Sequence, residues 1–167
     1  VMERLRKATR KTVNDRKLRG LALAAIRETF EETGLIVGQP ASQSVSTTHP
    51  VWRDYLAQGA EPPLEHMDFI ARAITPTYRT RRFDTRFFMI HDQFIFNDPE
   101  QITDVSGELN ELHWLTLNEA RQLDLPAVTR WAIDLVEQRI QLSPAEQLKQ
   151  TAPFVRFVKG QEISINL

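Results

Sequence analysis

One stretch constrains this chain more than any other: residues 18–38, Leu-Arg-Gly-Leu-Ala-Leu-Ala-Ala-Ile-Arg-Glu-Thr-Phe-Glu-Glu-Thr-Gly-Leu-Ile-Val-Gly. Ala22, Ala24 and Ala25 favour a helix, and Leu21, Leu23, Ile26 and Phe30 supply its apolar face. The main helix is therefore expected over residues 19–33, with Asn14 and Asp15 as candidate caps. Gly34 is placed to end it in a left-handed turn. Leu35, Ile36 and Val37 then read as a short buried strand, closed by Gly38 and Pro40.

The last turn of that helix carries an unusual charge pattern. Glu28, Glu31 and Glu32 are spaced i, i+3, i+4 and share one face, where like charges repel. Glu31 and Glu32 also sit at the negative end of the helix dipole. Each penalty is a few tenths of a kcal/mol to about 1 kcal/mol at an exposed site. Arg27 offsets part of it by pairing with Glu31, and a divalent cation would offset far more. Hard ions such as Mg²⁺ take carboxylate oxygens and keep several waters, which leaves room for phosphate oxygens. The plainer reading of three glutamates is a solvated acidic face.

In full, the string Arg27-Glu28-x-x-Glu31-Glu32-x-Gly34-Leu35 resembles the core of the Nudix box, whose pattern is G-x5-E-x7-R-E-U-x-E-E-x-G-U with U apolar. Thr29 stands where the family usually has an aliphatic residue. A second stretch, residues 74–88 with Ile-Thr-Pro…Arg-Arg-Phe-Asp-Thr-Arg-Phe-Phe, resembles the branch typified by the peroxisomal coenzyme A diphosphatases and their bacterial relatives. The resemblance covers roughly residues 18–140 and implies an α/β fold: a Nudix-like mixed sheet sandwiched between helices. It also implies a diphosphatase, hydrolysing the diphosphate linkage of a nucleoside diphosphate joined to a group X, with coenzyme A or an acyl-CoA as the suggested substrate. Glu28 and Glu32 would hold Mg²⁺ or Mn²⁺. Glu31 would complete the cluster, Arg27 would orient it, and Glu108 or Glu111 would supply an outer ligand or the base. Arg81, Arg82 and Arg86 suit forked contacts with phosphate oxygens. The competing reading pairs Arg82 with Asp84 and leaves Arg86 as an outward-facing strand residue.

The first half of the box does not follow the family pattern. Its glycine would fall at residue 13 and its first glutamate at residue 19, where this chain has Val13 and Arg19. A degenerate box, an insertion between its halves, and a chain that begins after the first half all fit. No strand-like run precedes residue 18, so the expected sheet lacks the strands that open such domains. A non-catalytic Nudix-fold binding module, or an inactive fragment, is the alternative from another class. A nucleic-acid module using the basic residues 1–19 is a third, and the net charge of −1 argues against it.

With 167 residues, 41% hydrophobic and 26% charged, the chain reads as one Nudix-like domain: a basic segment 1–17, a core 18–140 and a C-terminal extension 141–167. It has no cysteine, which excludes thiolate metal sites and a cysteine nucleophile and is compatible with a reducing, cytoplasmic setting. No apolar run is long enough to cross a membrane. The expected partner is a small nucleoside diphosphate derivative, with neither nucleic acid nor membrane, and a homodimer is open.

Elsewhere, a helix is expected over Val51–Gln58, and strands over Met67–Ile74 and Thr85–Ile90 as a hairpin around a basic turn. His91–Asn97 would extend the sheet, and Glu108–Leu115 reads as a further strand. Thr116 with Glu119 forms a capping-box pattern, and Val128, Trp131, Ala132, Leu135, Val136 and Ile140 mark one stripe of a helix over 125–140. Ser143–Glu146 starts another helix, and two strand-like runs close the tail.

Overall fold

The computed structural model describes residues 2–9, 13–102, 112–158 and 161–166. In chain order the elements are α1 (Met2–Lys7), α2 (Asp15–Thr33), β1 (Gln39–Pro40), α3 (Pro50–Ala57), β2 (Ala60–Glu61), β3 (Asp68–Ile74), β4 (Asp84–Met89), α4 (Leu117–Gln122), α5 (Ala127–Ile140), α6 (Pro144–Lys149), β5 (Pro153–Val158) and β6 (Gln161–Asn166). The protein is thus a mixed α/β chain, and it divides into two compact units. No described helix is long and apolar enough to cross a membrane.

The first unit takes in residues 14–67 and 90–113. Asn14 caps α2, its side chain accepting from the Lys17 backbone N–H at 3.0 Å. Leu18, Ala22 and Ile26, four residues apart, are its buried line, and Phe30 continues that line edge-on against Tyr55 of α3, ring centroids 5.6 Å apart. The expected strand at Leu35–Val37 is reduced to a single bridge, Val37 to Ile95. Its partner is residues 94–97, so these do not extend the larger sheet as expected. Gly38 N–H donates to Phe94 O and Phe96 N–H to Ile36 O, each at 2.8 Å. The two-stranded β1–β2 sheet is antiparallel. The Tyr55 hydroxyl, wholly buried, donates to Val37 O at 2.7 Å.

The second unit takes in residues 2–13, 68–89 and 114–167. Its four-stranded sheet has the order β4-β3-β5-β6: β3 runs antiparallel to β4 and parallel to β5, and β5 runs antiparallel to β6. The hairpin expected from residues 67–90 is present, with a register shift between Phe69 and Ala71. Phe69, Ile70 and Ala71 are all buried, as a strand covered on both faces requires. The two tail runs pair with each other and join β3 through β5, a placement their β propensity alone does not specify.

Helix α5 packs on β3. Its inward face differs from the expected stripe. Ala132 and Arg139 are buried, whereas Val128 and Ile140 are exposed. Arg139, only 4% exposed, takes the place of an apolar residue because it meets a carboxylate: it donates to Asp68 Oδ2 at 2.9 Å and to Thr151 O at 2.9 Å. Arg4 of α1 donates to the other oxygen of Asp68 and to Gln147 O. The basic N-terminal segment therefore contributes an internal ion pair, and Leu5 beside it is fully buried. Capping boxes at Thr116–Glu119 and Ser143–Glu146 start α4 and α6 as expected. Pro126 is the residue before α5, which starts at Ala127 and not at the expected residue 125.

Two outcomes follow from these buried polar contacts. Replacing Asp68 with Ala strands Arg139 without a counter-charge and should cost about 3 kcal/mol in urea unfolding, the low end for a pair still partly reached by solvent. Burial pushes the Tyr55 hydroxyl pKa well above its ordinary value, with Glu61 adding to the effect. The folded state thus prefers the neutral phenol. Its contribution is complete below the unfolded-state pKa of about 10 and fades as pH rises above it. Tyr55→Phe should lower stability at pH 7 by about 1–3 kcal/mol by leaving Val37 O unpaired, and should flatten the alkaline loss seen in pH-dependent unfolding.

Candidate functional site

The acidic face lies on the last turns of α2, within the first unit. Gly34 ends the helix at φ 70°, its N–H donating to Phe30 O at 2.9 Å. Asn97 then holds the exit. Its side chain accepts from Ile36 N–H at 2.8 Å and donates to Gly34 O at 3.0 Å. Two threonines reinforce the turn: Thr29 and Thr33 hydroxyls donate to the carbonyls four residues back, and Leu35 N–H donates to the Thr33 hydroxyl at 3.0 Å. Thr29, where the resembled motif has an aliphatic residue, thus spends its hydroxyl locally.

On that turn Arg27 is the organising group. One of its terminal nitrogens donates to Glu31 and the other to Glu28, so a single guanidinium holds two of the three carboxylates. The i+4 pair read from the sequence is present, and the contact to Glu28 adds to it. Glu32 is exposed, and its side chain has no hydrogen-bond or ion-pair partner among the described residues. No basic residue lies in the helix's last turn to answer its dipole.

The donor set is of the kind a hard divalent cation takes, all carboxylate oxygen. Its arrangement is only partly so. Glu28 and Glu31 are turned to Arg27, and among the described residues no three Asp, Glu or His side chains are gathered so as to hold a metal ion. Glu108 and Glu111, the expected outer ligand or base, lie outside the described residues.

The arginine group belongs to the second unit, on β4 and the loop before it. Arg86 does not stand with Arg81 and Arg82. It is largely covered, with 13% of its side chain exposed, and it faces Asp84, Nη1 to Oδ1 at 3.4 Å. Arg72, from β3, makes the stronger contact to Asp84, two parallel bonds of 2.7 Å. The Arg82–Asp84 pair of the competing reading is thus replaced by one carboxylate between Arg72 and Arg86. Burial would raise the Asp84 carboxyl, but the Arg72 hydrogen bonds and the Arg86 charge hold it below its usual range. Arg81 and Arg82 are exposed, and neither side chain has a polar partner among the described residues.

Two features escaped the sequence reading. Arg139 falls seven residues after Ala132, on the same helical face, and a charged residue within an apolar stripe was the available sign of an internal partner. Tyr78 and Phe83 flank the arginines of the loop; their exposure depends on the hairpin and has no sequence signature.

The chain matches no protein-family model, no curated protein and no solved structure.

The helix end offers a direct check. Gly34 combines a positive φ with a tight neighbour, since a Cβ there would lie 2.9 Å from Ile102 Cγ2. Gly34→Ala should lower unfolding stability by about 1–2 kcal/mol from the left-handed backbone alone, with the Ile102 contact adding to it.

Proposed function

We propose that this chain is a Nudix-type hydrolase that cleaves the diphosphate linkage of a nucleoside diphosphate derivative with the help of Mg²⁺ or Mn²⁺. The observation that carries the reading is the register of Arg27, Glu28, Glu31, Glu32 and Gly34 on the closing turns of one helix, with Arg27 bonded to two of the carboxylates. Glu28, Glu31 and Glu32 would hold the ion. When bound, the ion neutralises phosphate charge and acidifies a water it carries. Arg27 keeps Glu28 and Glu31 from repelling each other and orients their oxygens. Gly34 and Asn97 hold the chain exit in place, so the acidic turn stays at the helix end. The resemblance of residues 74–88 favours coenzyme A or an acyl-CoA as the substrate.

One observation favours the second reading, a binding module of the same fold. Arg27 already engages two of the three carboxylates, and Val13 and Arg19 stand where the box has its glycine and first glutamate.

Mn²⁺ titration, followed by electron paramagnetic resonance, separates the two. The hydrolase reading expects saturable binding that Glu32→Gln weakens at least tenfold, with the fold intact by circular dichroism. It also expects metal-dependent phosphate-product release from a panel including coenzyme A and ADP-ribose, lost in Glu32→Gln. Turnover that survives this substitution, or that persists in chelator, would sink the assignment.

A further inference from the structure

The loop joining β3 to β4 combines exposed arginines with exposed aromatic rings. Residues 75–83 read Thr-Pro-Thr-Tyr-Arg-Thr-Arg-Arg-Phe, with three arginines and no acid. Its base is closed by hydrogen bonds: Thr75 N–H donates to Phe83 O at 2.9 Å, and Phe83 N–H donates to the Thr75 hydroxyl at 3.0 Å. Just beneath, the two hydrogen bonds from Arg72 to Asp84 tie the two strands together. The loop is therefore held at its root while its tip faces solvent.

Two large rings of this loop are presented to water, Tyr78 towards its tip and Phe83 at its base. Tyr78 is 69% exposed and Phe83 62% exposed. Single exposed apolar residues are ordinary, but two aromatics within six residues, alternating with unpaired guanidinium groups, are not. Tyr78 is braced by Phe157, ring centroids 6.4 Å apart at a near-perpendicular angle, and Arg79 lies over its ring at 5.9 Å. Phe83 makes no aromatic contact among the described residues. Five arginines of this unit are held by carboxylates, Arg4 and Arg139 by Asp68, Arg72 and Arg86 by Asp84, and Arg121 by Asp134 and Glu137, whereas Arg156 of β5 lies over the Phe154 ring. Arg81 and Arg82 are held by no carboxylate among the described residues.

Charge and rings together select a class of ligand. Guanidinium groups suit phosphate oxygens, and flat apolar faces suit a base. A bare phosphate leaves the rings uncovered, and an uncharged nucleoside leaves the arginines unanswered. We propose that the β3–β4 loop is a nucleotide-binding subsite: Arg81 and Arg82 take a phosphate group, and Phe83 or Tyr78 takes the base. Arg86, covered and turned to Asp84, acts as a positioning residue that steadies the root of the loop. The proposal rests on the diphosphatase reading for the ligand's identity as substrate, but the binding it describes needs no metal.

The test is calorimetric titration of the full chain in chelator with AMP, with adenosine and with inorganic phosphate. AMP should bind saturably, and adenosine and phosphate should each bind at least roughly tenfold more weakly, the size of one lost base or phosphate contact. The double substitution Arg81→Ala with Arg82→Ala should weaken AMP at least tenfold and leave adenosine unchanged, while Phe83→Ala with Tyr78→Ala should weaken both. These side chains are exposed, and circular dichroism of each variant would show the fold kept. Glu32→Gln should bind AMP as the parent does, so the subsite stands or falls apart from the metal reading. The subsite is overturned if AMP does not bind, if phosphate binds as tightly as AMP, or if the arginine pair is without effect. It is equally overturned if a single-stranded oligonucleotide binds through these side chains while AMP does not.

Discussion

Asp68 stands between two guanidinium groups, and the second unit is assembled around it. Arg4 reaches it from the first helix of the chain and Arg139 from α5, and the spare donors of both arginines end on the Gln147 and Thr151 carbonyls. One carboxylate and its two arginines thus tie together the first helix, β3 and residues 139–151. A buried ion pair gains little over an apolar replacement, because removing charges from water costs nearly what their attraction returns. Its effect here is on register: an arginine at position 139 can be buried only where a carboxylate meets it, which fixes the rotation of α5 on β3. That rotation leaves Ile140 and Val128 in solvent although both are apolar.

The first unit is governed by a smaller device at the end of α2. Gly34 turns the chain back through a left-handed conformation, and the Asn97 side chain bonds Gly34 O and Ile36 N–H as the chain leaves that turn. The acidic turn before it is then carried on a firm exit. Three carboxylates at a helix C-terminus repel one another and the dipole, and Arg27 relieves the strain by holding two of them at once. The same bonds that make the turn tolerable without an ion would have to be shared with one.

Much of this was legible beforehand where the physics is local. The Asn14 cap and the Gly34 end of α2, the Arg27–Glu31 pair, the β3–β4 hairpin and the cap at Thr116 all depend on residues near one another in sequence, although α2 itself begins at Asp15 and not at the expected residue 19. The stripe on α5 was misplaced because periodicity counts apolar residues and cannot see that Asp68 supplies a partner for Arg139. Arg86 was grouped with Arg81 and Arg82 because spacing shows adjacency, whereas burial against Asp84 separates them. His91–Asn97 had the composition of a sheet strand, yet its hydrogen bonds went to residues 36–38.

The amino-acid sequence by itself determined the acidic helix end, its arginine and its glycine stop, because propensity, charge spacing and backbone conformation act over one or two turns. Only the tertiary structure decided which strands pair, that the tail joins β3, which arginines are spent on carboxylates and which remain at the loop tip. Those outcomes turn on which distant groups are brought out of water together, and no local pattern encodes that choice.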